Sequence, residues 1–425
     1  MRMNNIIMRM NNIILTQIRI ERNIVYFEFS VSEEIQKLFN TNTFWIEYDQ
    51  EMSHCPKSIL TIPFVSVMLP IMWATNSVLW VKDLDYTFYE ATFSLKRAYQ
   101  DLYPGYALRG RLVAANLERN IIKESDNCCS LFSGGVDAHT TFIRNIDVIS
   151  NIVNIQGFYK EPHDKNGVAE ADFRDIEKFA VSQNKKFDFI KSNFAIMFNL
   201  KYLKFFEQKI KNGGFWYAFQ HSMAFISITM PLAFLQNCSK ILIASSYTIG
   251  DSSVCASYPT TDNEFRFAKN GYVVHDGFEL SRQDKIHIIA EHQKKINAPY
   301  PIRVCSFNDH NCCECEKCFR TILGLVAECA DVEKFGFFLD RPLKEHWNNV
   351  MYQKSGLMGF DTEKVSYWPY IIKRMKENYP KMNAEQKDFV DWFLTFDFKK
   401  VQRLSRLRYY KNNFFSILKR KLRLV

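Results

Sequence analysis

The sequence predicts an α/β protein, a parallel sheet with helices on both faces, preceded by an N-terminal α+β unit and followed by a helical C-terminal region. Three observations predict it. Between residues 128 and 247, short β-branched and aromatic runs alternate with amphipathic stretches, the rhythm of parallel strands joined by covering helices. Two adjacent glycines, Gly134 and Gly135, follow the first of those strands. Five of the 11 cysteines fall between Cys305 and Cys318. At 425 residues the chain exceeds what one core usually supports. The expected domains are 1–120 (α+β), 121–330 (the parallel sheet, with a cysteine loop at 305–318) and 331–425 (helical, with a basic tail).

In chain order, MRMNNIIMRMNNII repeats seven residues directly and reads as a duplicated start, with Met8 a second initiator. Residues 13–31 hold two alternating strands around a Glu21-Arg22-Asn23 turn, and 43–49 and 78–84 are further strands. The run 59–74, broken by Pro63 and Pro70, reads as buried strands. Residues 86–103 have helical spacing and end at Pro104-Gly105. After the strand CSLF and the glycine turn come a helix from Ala138, a strand at 152–159, a helix at 172–184, a strand at 187–193, one or two apolar helices over 216–236 and a strand at 240–247. Ser281 is placed to cap a helix over 282–292.

The net charge of +9 is local, since Lys399–Val425 carries ten basic residues and no acid, leaving about −1 elsewhere. That argues against a nucleic-acid binder with basic residues spread over a whole face. The odd, clustered cysteines and the lack of a signal-peptide pattern argue against a disulfide framework and predict a cytoplasmic protein.

A strand followed by glycines and a helix forms an anion site. Glycines let main-chain N–H groups wrap a phosphate, and the helix start adds a positive dipole end. Here Ser133 offers a hydroxyl, Gly134, Gly135 and Val136 offer backbone, and Asp137 offers a Mg²⁺ ligand or a helix cap. Neither GxGxxG nor GxxxxGK[ST] is present. The stretch Ser133-Gly134-Gly135-Val136-Asp137 resembles the SGGxDS signature of the PP-loop ATP pyrophosphatases, whose fold is adenine nucleotide alpha hydrolase-like; Ala138 replaces the final serine. The resemblance implies ATP with Mg²⁺, Ser133 and Asp137 in catalytic roles, and Phe132 and Gly157 beside the nucleotide.

Downstream, Cys305, Cys312, Cys315 and Cys318 have the spacing C-x6-C-x2-C-x2-C, suited to a closed tetrahedral Zn²⁺ site; an iron–sulfur cluster and plain buried thiols are the alternatives. Cys313 is not needed, and His310 is a weaker candidate ligand. Lys317 and Arg320 offer charge to offset four thiolates. A four-cysteine zinc site behind an SGGxDS loop is similar to the 7-cyano-7-deazaguanine synthases, the QueC-like branch, over residues 125–325. That implies an AMP-forming ligase. An oxygen of a small-molecule or nucleobase substrate is adenylated with release of pyrophosphate, then displaced by a nitrogen nucleophile.

The hydroxyl-rich stretch 243–267 follows the fourth strand of the region, and Ser245, Ser246, Asp251 and Asp262 are candidates for substrate or Mg²⁺. A solvated loop is the plain alternative. Arg282 and Lys285 share a helix face and are candidates for phosphate, or for solvent. His221 reads as a core or pocket-edge histidine, and Asn193 as the cap of the next helix. The basic tail suits RNA, an anionic membrane or a protein partner. Rival functions are a tRNA-thiolating PP-loop enzyme and a nucleotide-binding subunit without turnover, to which Ala138 points.

Overall fold

The computed structural model describes residues 11–158, 167–203, 214–249, 255–353 and 368–397, with positions 399, 400, 403 and 407. Apart from a short stretch around Val168, a first compact unit runs to Glu279 and a second begins at Leu280.

The first unit is built on one sheet of 11 strands: β1 (Asn12–Glu21), β2 (Ile24–Val31), β3 (Thr43–Tyr48), β4 (Val78–Asp85), β5 (Arg111–Glu118), β6 (Cys128–Leu131), β7 (Ile149–Gln156), β8 (Lys186–Ser192), β9 (Lys240–Ala244), β10 (Arg266–Phe267) and β11 (Gly271–Asp276). Their order is β10-β11-β9-β6-β7-β8-β3-β2-β1-β4-β5. The block β11-β9-β6-β7-β8 is parallel throughout. Numbered from β6, that block runs 3-2-1-4-5 from β8 to β11. The order reverses between β6 and β9, where an open α/β sheet leaves a crevice at its carboxyl edge.

Residues 12–118, expected as part of a separate unit, instead supply five strands of this same sheet. The junction is antiparallel, β3 on β8, with Ile46 opposite Ser192 and Tyr48 opposite Ile190. Asn193 continues it: its Oδ1 accepts from Trp45 N at 2.8 Å and its Nδ2 donates to Thr43 O at 2.9 Å. Asn193 stands at the N-cap of the short helix Phe194–Met197, as expected, and its carbonyl accepts from Ile196 N and Met197 N at 3.1 Å; its side chain makes no capping bond and instead extends the ladder between the two blocks.

Helices α1 (Lys57–Thr75) and α2 (Tyr86–Leu102) come from the N-terminal segment; α3 (Val136–Arg144), α4 (Val168–Ser182) and α5 (His221–Leu235) follow β6, β7 and β8. The strands expected over 59–74 are thus a single 19-residue helix. A fully apolar run has no polar side to reveal its period, so strand and buried helix look alike in sequence. Pro63 and Pro70 lie seven residues apart, two turns, and fall on one face. Helices α1 and α5 pack together and belong to one large apolar cluster with Val25, Ile46, Val153 and Ile241. α1, and the 20-residue helical run Trp216–Leu235 that ends in α5, are long and apolar enough to cross a membrane, yet both are mostly buried inside the unit, as core helices are. A second cluster joins α3 and α4 through Phe132, Ala138, Phe142 and Ile176 to Cys128, Ile152 and Leu242. The parallel block is thereby covered on both faces.

The second unit is helical: α6 (Arg282–Ile296), α7 (Glu316–Ala327), α8 (Leu343–Gln353), α9 (Trp368–Asn378) and α10 (Ala384–Thr395). Ser281 caps α6 in a capping box with Asp284, as expected. Most of the basic tail lies outside the described residues.

Candidate functional site

β6 ends at Leu131, and Phe132 extends its pairing by one residue through N–H to Val153 O at 2.9 Å. The Phe132 ring is buried and stacks on Phe179 with centroids 5.0 Å apart, so this expected nucleotide neighbour faces the core under α3 and α4. The chain then turns outward. Ser133 is exposed, Gly134 has φ +74°, and Gly135 is the N-cap of α3 with φ −85° and ψ 175°. Among the described residues, a Cβ on Gly134 would touch only Ile176, at 3.6 Å, and one on Gly135 only the Ser133 hydroxyl, at 3.7 Å. Positive φ accounts for Gly134. Neither φ nor packing against the described residues accounts for Gly135.

Gly157, at the carboxyl end of neighbouring β7, is the opposite case. Its φ is +86°, and a Cβ there would overlap the Ser192 carbonyl oxygen and come within 2.9 Å of the Ser192 carbonyl carbon and nitrogen. Its lack of a side chain is explained by the close approach of β8, without a ligand.

Helix α3 is tied to the sheet edge. Thr141 Oγ1 donates to Asp276 Oδ2 at 2.8 Å, and Arg144 pairs with Asp276 at 3.6 Å and Glu279 at 2.6 Å. Val136 and Ala138 are buried beneath the turn, while Asp137 is half-buried in the first helical turn. Ser245 and Ser246 follow β9, on the other side of the β6/β9 crevice. Ser245 is buried and shapes its own turn, donating N–H to Asp276 O at 2.9 Å and Oγ–H to Tyr247 O at 2.8 Å; Ser246 is exposed. Asp251 lies outside the described residues. The structure thus brings Ser133–Asp137, Ser245 and Ser246 to the ends of the two strands that flank the topological switch.

Asp262, a candidate for substrate or Mg²⁺, is fully buried with its carboxylate already engaged. It accepts from Ser222 Oγ at 2.5 Å, Ser257 Oγ at 3.2 Å and His275 Nδ1 at 2.7 Å. His221 stands at the junction of a π-turn, Trp216–Gln220, with α5. Its Nδ1 lies 3.9 Å from Cys255 Sγ, and burial lowers its pKa. Burial likewise pushes the Cys255 thiol up, which makes it a poor nucleophile. His275 was not legible as a site residue, because a single histidine in the strand GYVVHD gives no signal of a partner 13 residues away.

No protein-family model matches the chain, and no curated protein matches it either.

In the second unit Arg282 and Lys285 both lie on α6. Lys285 is buried rather than solvated, and Arg282 donates to Thr321 Oγ1 at 3.4 Å. The same unit holds the cysteine cluster. The sulfurs of Cys305, Cys312, Cys315 and Cys318 all lie within 4.8 Å of one another, with Cys312 and Cys318 at 4.0 Å. Zn–S bonds of ~2.3 Å in a tetrahedron put sulfurs ~3.8 Å apart, so the four thiols fit the ion with little contraction. Main-chain N–H groups of Phe307 and Glu314 point at Cys305 and Cys312, each at 3.5 Å, as donors to thiolates. Cys313 adopts φ +53°, turns its sulfur to Asn311 O and is pushed up to about 12 by burial, consistent with a turn-filler. His310 is exposed and paired with Asp309. Lys317 is engaged with Ser306 and Arg320 with Glu316. Asn311, which the spacing did not single out, braces the turn: it accepts from Val304 N at 3.0 Å and donates to Ile302 O at 2.8 Å and Gly336 O at 3.0 Å.

Proposed function

We propose that the protein is an ATP-dependent adenylating enzyme of the PP-loop type, with its nucleotide phosphates on residues 133–137. The observation that carries this reading is Gly135: at the switch point of a 3-2-1-4-5 parallel block stands a glycine that packing against the described residues does not require. A group that approaches the main chain from outside accounts for it. The Ser133-Gly134-Gly135-Val136-Asp137 sequence agrees in kind and order with a pyrophosphate-gripping loop.

In this reading ATP, when bound, supplies the adenylate that turns a poor oxygen leaving group into a good one. Backbone N–H groups at the α3 start hold negative charge, Ser133 adds a hydroxyl donor, and Asp137 carries the charge that a phosphate-bound Mg²⁺ needs. Ser246, exposed after the end of β9, is a candidate contact for the acceptor molecule. Positioning and charge neutralisation then supply most of the rate. The four thiols hold a structural Zn²⁺ with no open position. Eleven cysteines without a disulfide suit a reducing compartment, the cytoplasm.

Calorimetric titration with a non-hydrolysable ATP analogue and Mg²⁺ tests the reading. Binding should be saturable in the wild type and weakened at least tenfold by Ser133→Ala or Asp137→Ala; unchanged affinity in both variants sinks it. Ala138 favours a second reading, nucleotide binding with little turnover, because its side chain is packed in the apolar cluster and offers no hydroxyl. Pyrophosphate release from ATP separates the two. Metal analysis that finds iron in place of zinc would move the protein toward the tRNA-thiolating class.

A further inference from the structure

The apolar face of the first unit contains one polar knot that the phosphate loop does not use. Asp262 is its centre, and the described groups around it are Ser222, Ser257 and His275 in direct contact, with His221, Cys255 and Tyr99 close by. A buried carboxylate normally needs full hydrogen bonding, and this one has it from two serine hydroxyls and an imidazole. With Asp262 accepting at Nδ1, the ring proton sits there and Nε2 is left as a lone-pair acceptor. That Nε2 is buried, and no described group hydrogen-bonds to it. His275 as a whole is only 7% exposed.

Three further features bear on what belongs there. His275 is the penultimate residue of β11, at the carboxyl edge of the sheet, two strands from β6 and so about 10 Å across from the phosphate loop. It sits on the same face as Val273, which packs in the cluster that contains α1 and α5, and so on the face opposite α3. The helix that supplies Ser222 is preceded by the π-turn Trp216–Gln220, whose Ala218 and Phe219 carbonyls are taken by the hydroxyls of Tyr103 and Tyr99. π-Turns cluster at functional sites.

We propose that His275, held by Asp262, is the proton acceptor for the nitrogen nucleophile, a small neutral amine such as ammonia that binds at Nε2. The proposal takes its chemical context from the adenylation reading. As the new N–C bond forms, the C–O bond to AMP breaks and AMP leaves with the bonding pair; one N–H proton passes to Nε2, and Asp262 balances the imidazolium. A carboxylate–imidazole pair is the arrangement that fixes the tautomer for such a transfer. Cys255, with its thiol pushed up by burial, is not the attacking group.

The test is nitrogen NMR of the full chain with ¹⁵N-labelled histidine rings, titrated with ammonium chloride at alkaline pH and with sodium chloride as the ionic control. His275→Gln identifies the His275 signal by its loss. If that variant fails to fold, Phe278→Leu identifies it by removing the ring 6.1 Å away. The expected result is an Nδ1–H ring whose Nε2 resonance moves saturably with ammonium and not with sodium. Asp262→Asn should abolish that movement, and Ser133→Ala should leave it intact while nucleotide affinity falls. A ring protonated at Nε2, a resonance indifferent to ammonium, or a movement that survives Asp262→Asn overturns the proposal. Because the readout needs no ATP, its failure is distinct from failure of the phosphate-loop reading.

Discussion

Two turns in this molecule lead into helices with nearly the same backbone at the N-cap: Gly135 before α3, at φ −85° and ψ 175°, and Cys315 before α7, at φ −89° and ψ 165°. They are built in opposite ways. The cysteine turn converges on itself, with four sulfurs within 4.8 Å and Asn311 fastening the segment at Ile302 behind it. At the glycine turn, extra atoms on Gly135 would meet, among the described residues, only a serine hydroxyl. One turn gathers side chains of its own, and the other is the proposed seat of a phosphate from solution. Stability and binding should therefore separate cleanly between them.

The largest effect is expected at the cysteine turn. Cys318→Ser, or a strong chelator, should cost the second unit ~5 kcal/mol or more and should be seen as an early transition in calorimetry, with loss of bound zinc. Next, Gly157→Ala should lower stability by ~3–5 kcal/mol, because the new methyl overlaps the Ser192 carbonyl; chemical denaturation reads this directly. Asn193→Ala should cost about 1–3 kcal/mol by leaving Trp45 N and Thr43 O without their partner. Smallest in stability is Gly135→Ala, at ~0.5 kcal/mol or less, yet it should weaken binding of an ATP analogue at least tenfold, about 1.4 kcal/mol. If Gly135→Ala instead destabilised as much as Gly157→Ala with unchanged nucleotide affinity, the contrast between the turns would be lost.

Much of this was readable in advance, for identifiable reasons. The βα units from Cys128 to Ala244 announced themselves through alternation and caps, and the cysteine spacing anticipated a cluster that only folding could close. The helix over Lys57–Thr75 was not readable, because uniform apolarity hides its period and two prolines imitate strand breaks. Nor was β11, a short strand isolated behind a hydroxyl-rich loop. Its pairing with β9 depends on partners some 30 residues distant, and with it came His275. Asp262 stands out in the sequence for its charge, but nothing there shows that two serines and an imidazole gather round its carboxylate and withdraw it from solvent.

The antiparallel seam between β3 and β8 has a consequence for anyone who would shorten the chain. Cutting away the first 120 residues would not free a smaller, self-contained domain. It would strip β8 of its neighbour, bare a row of peptide groups beside Ile190, and leave a sticky margin primed to pair with other copies.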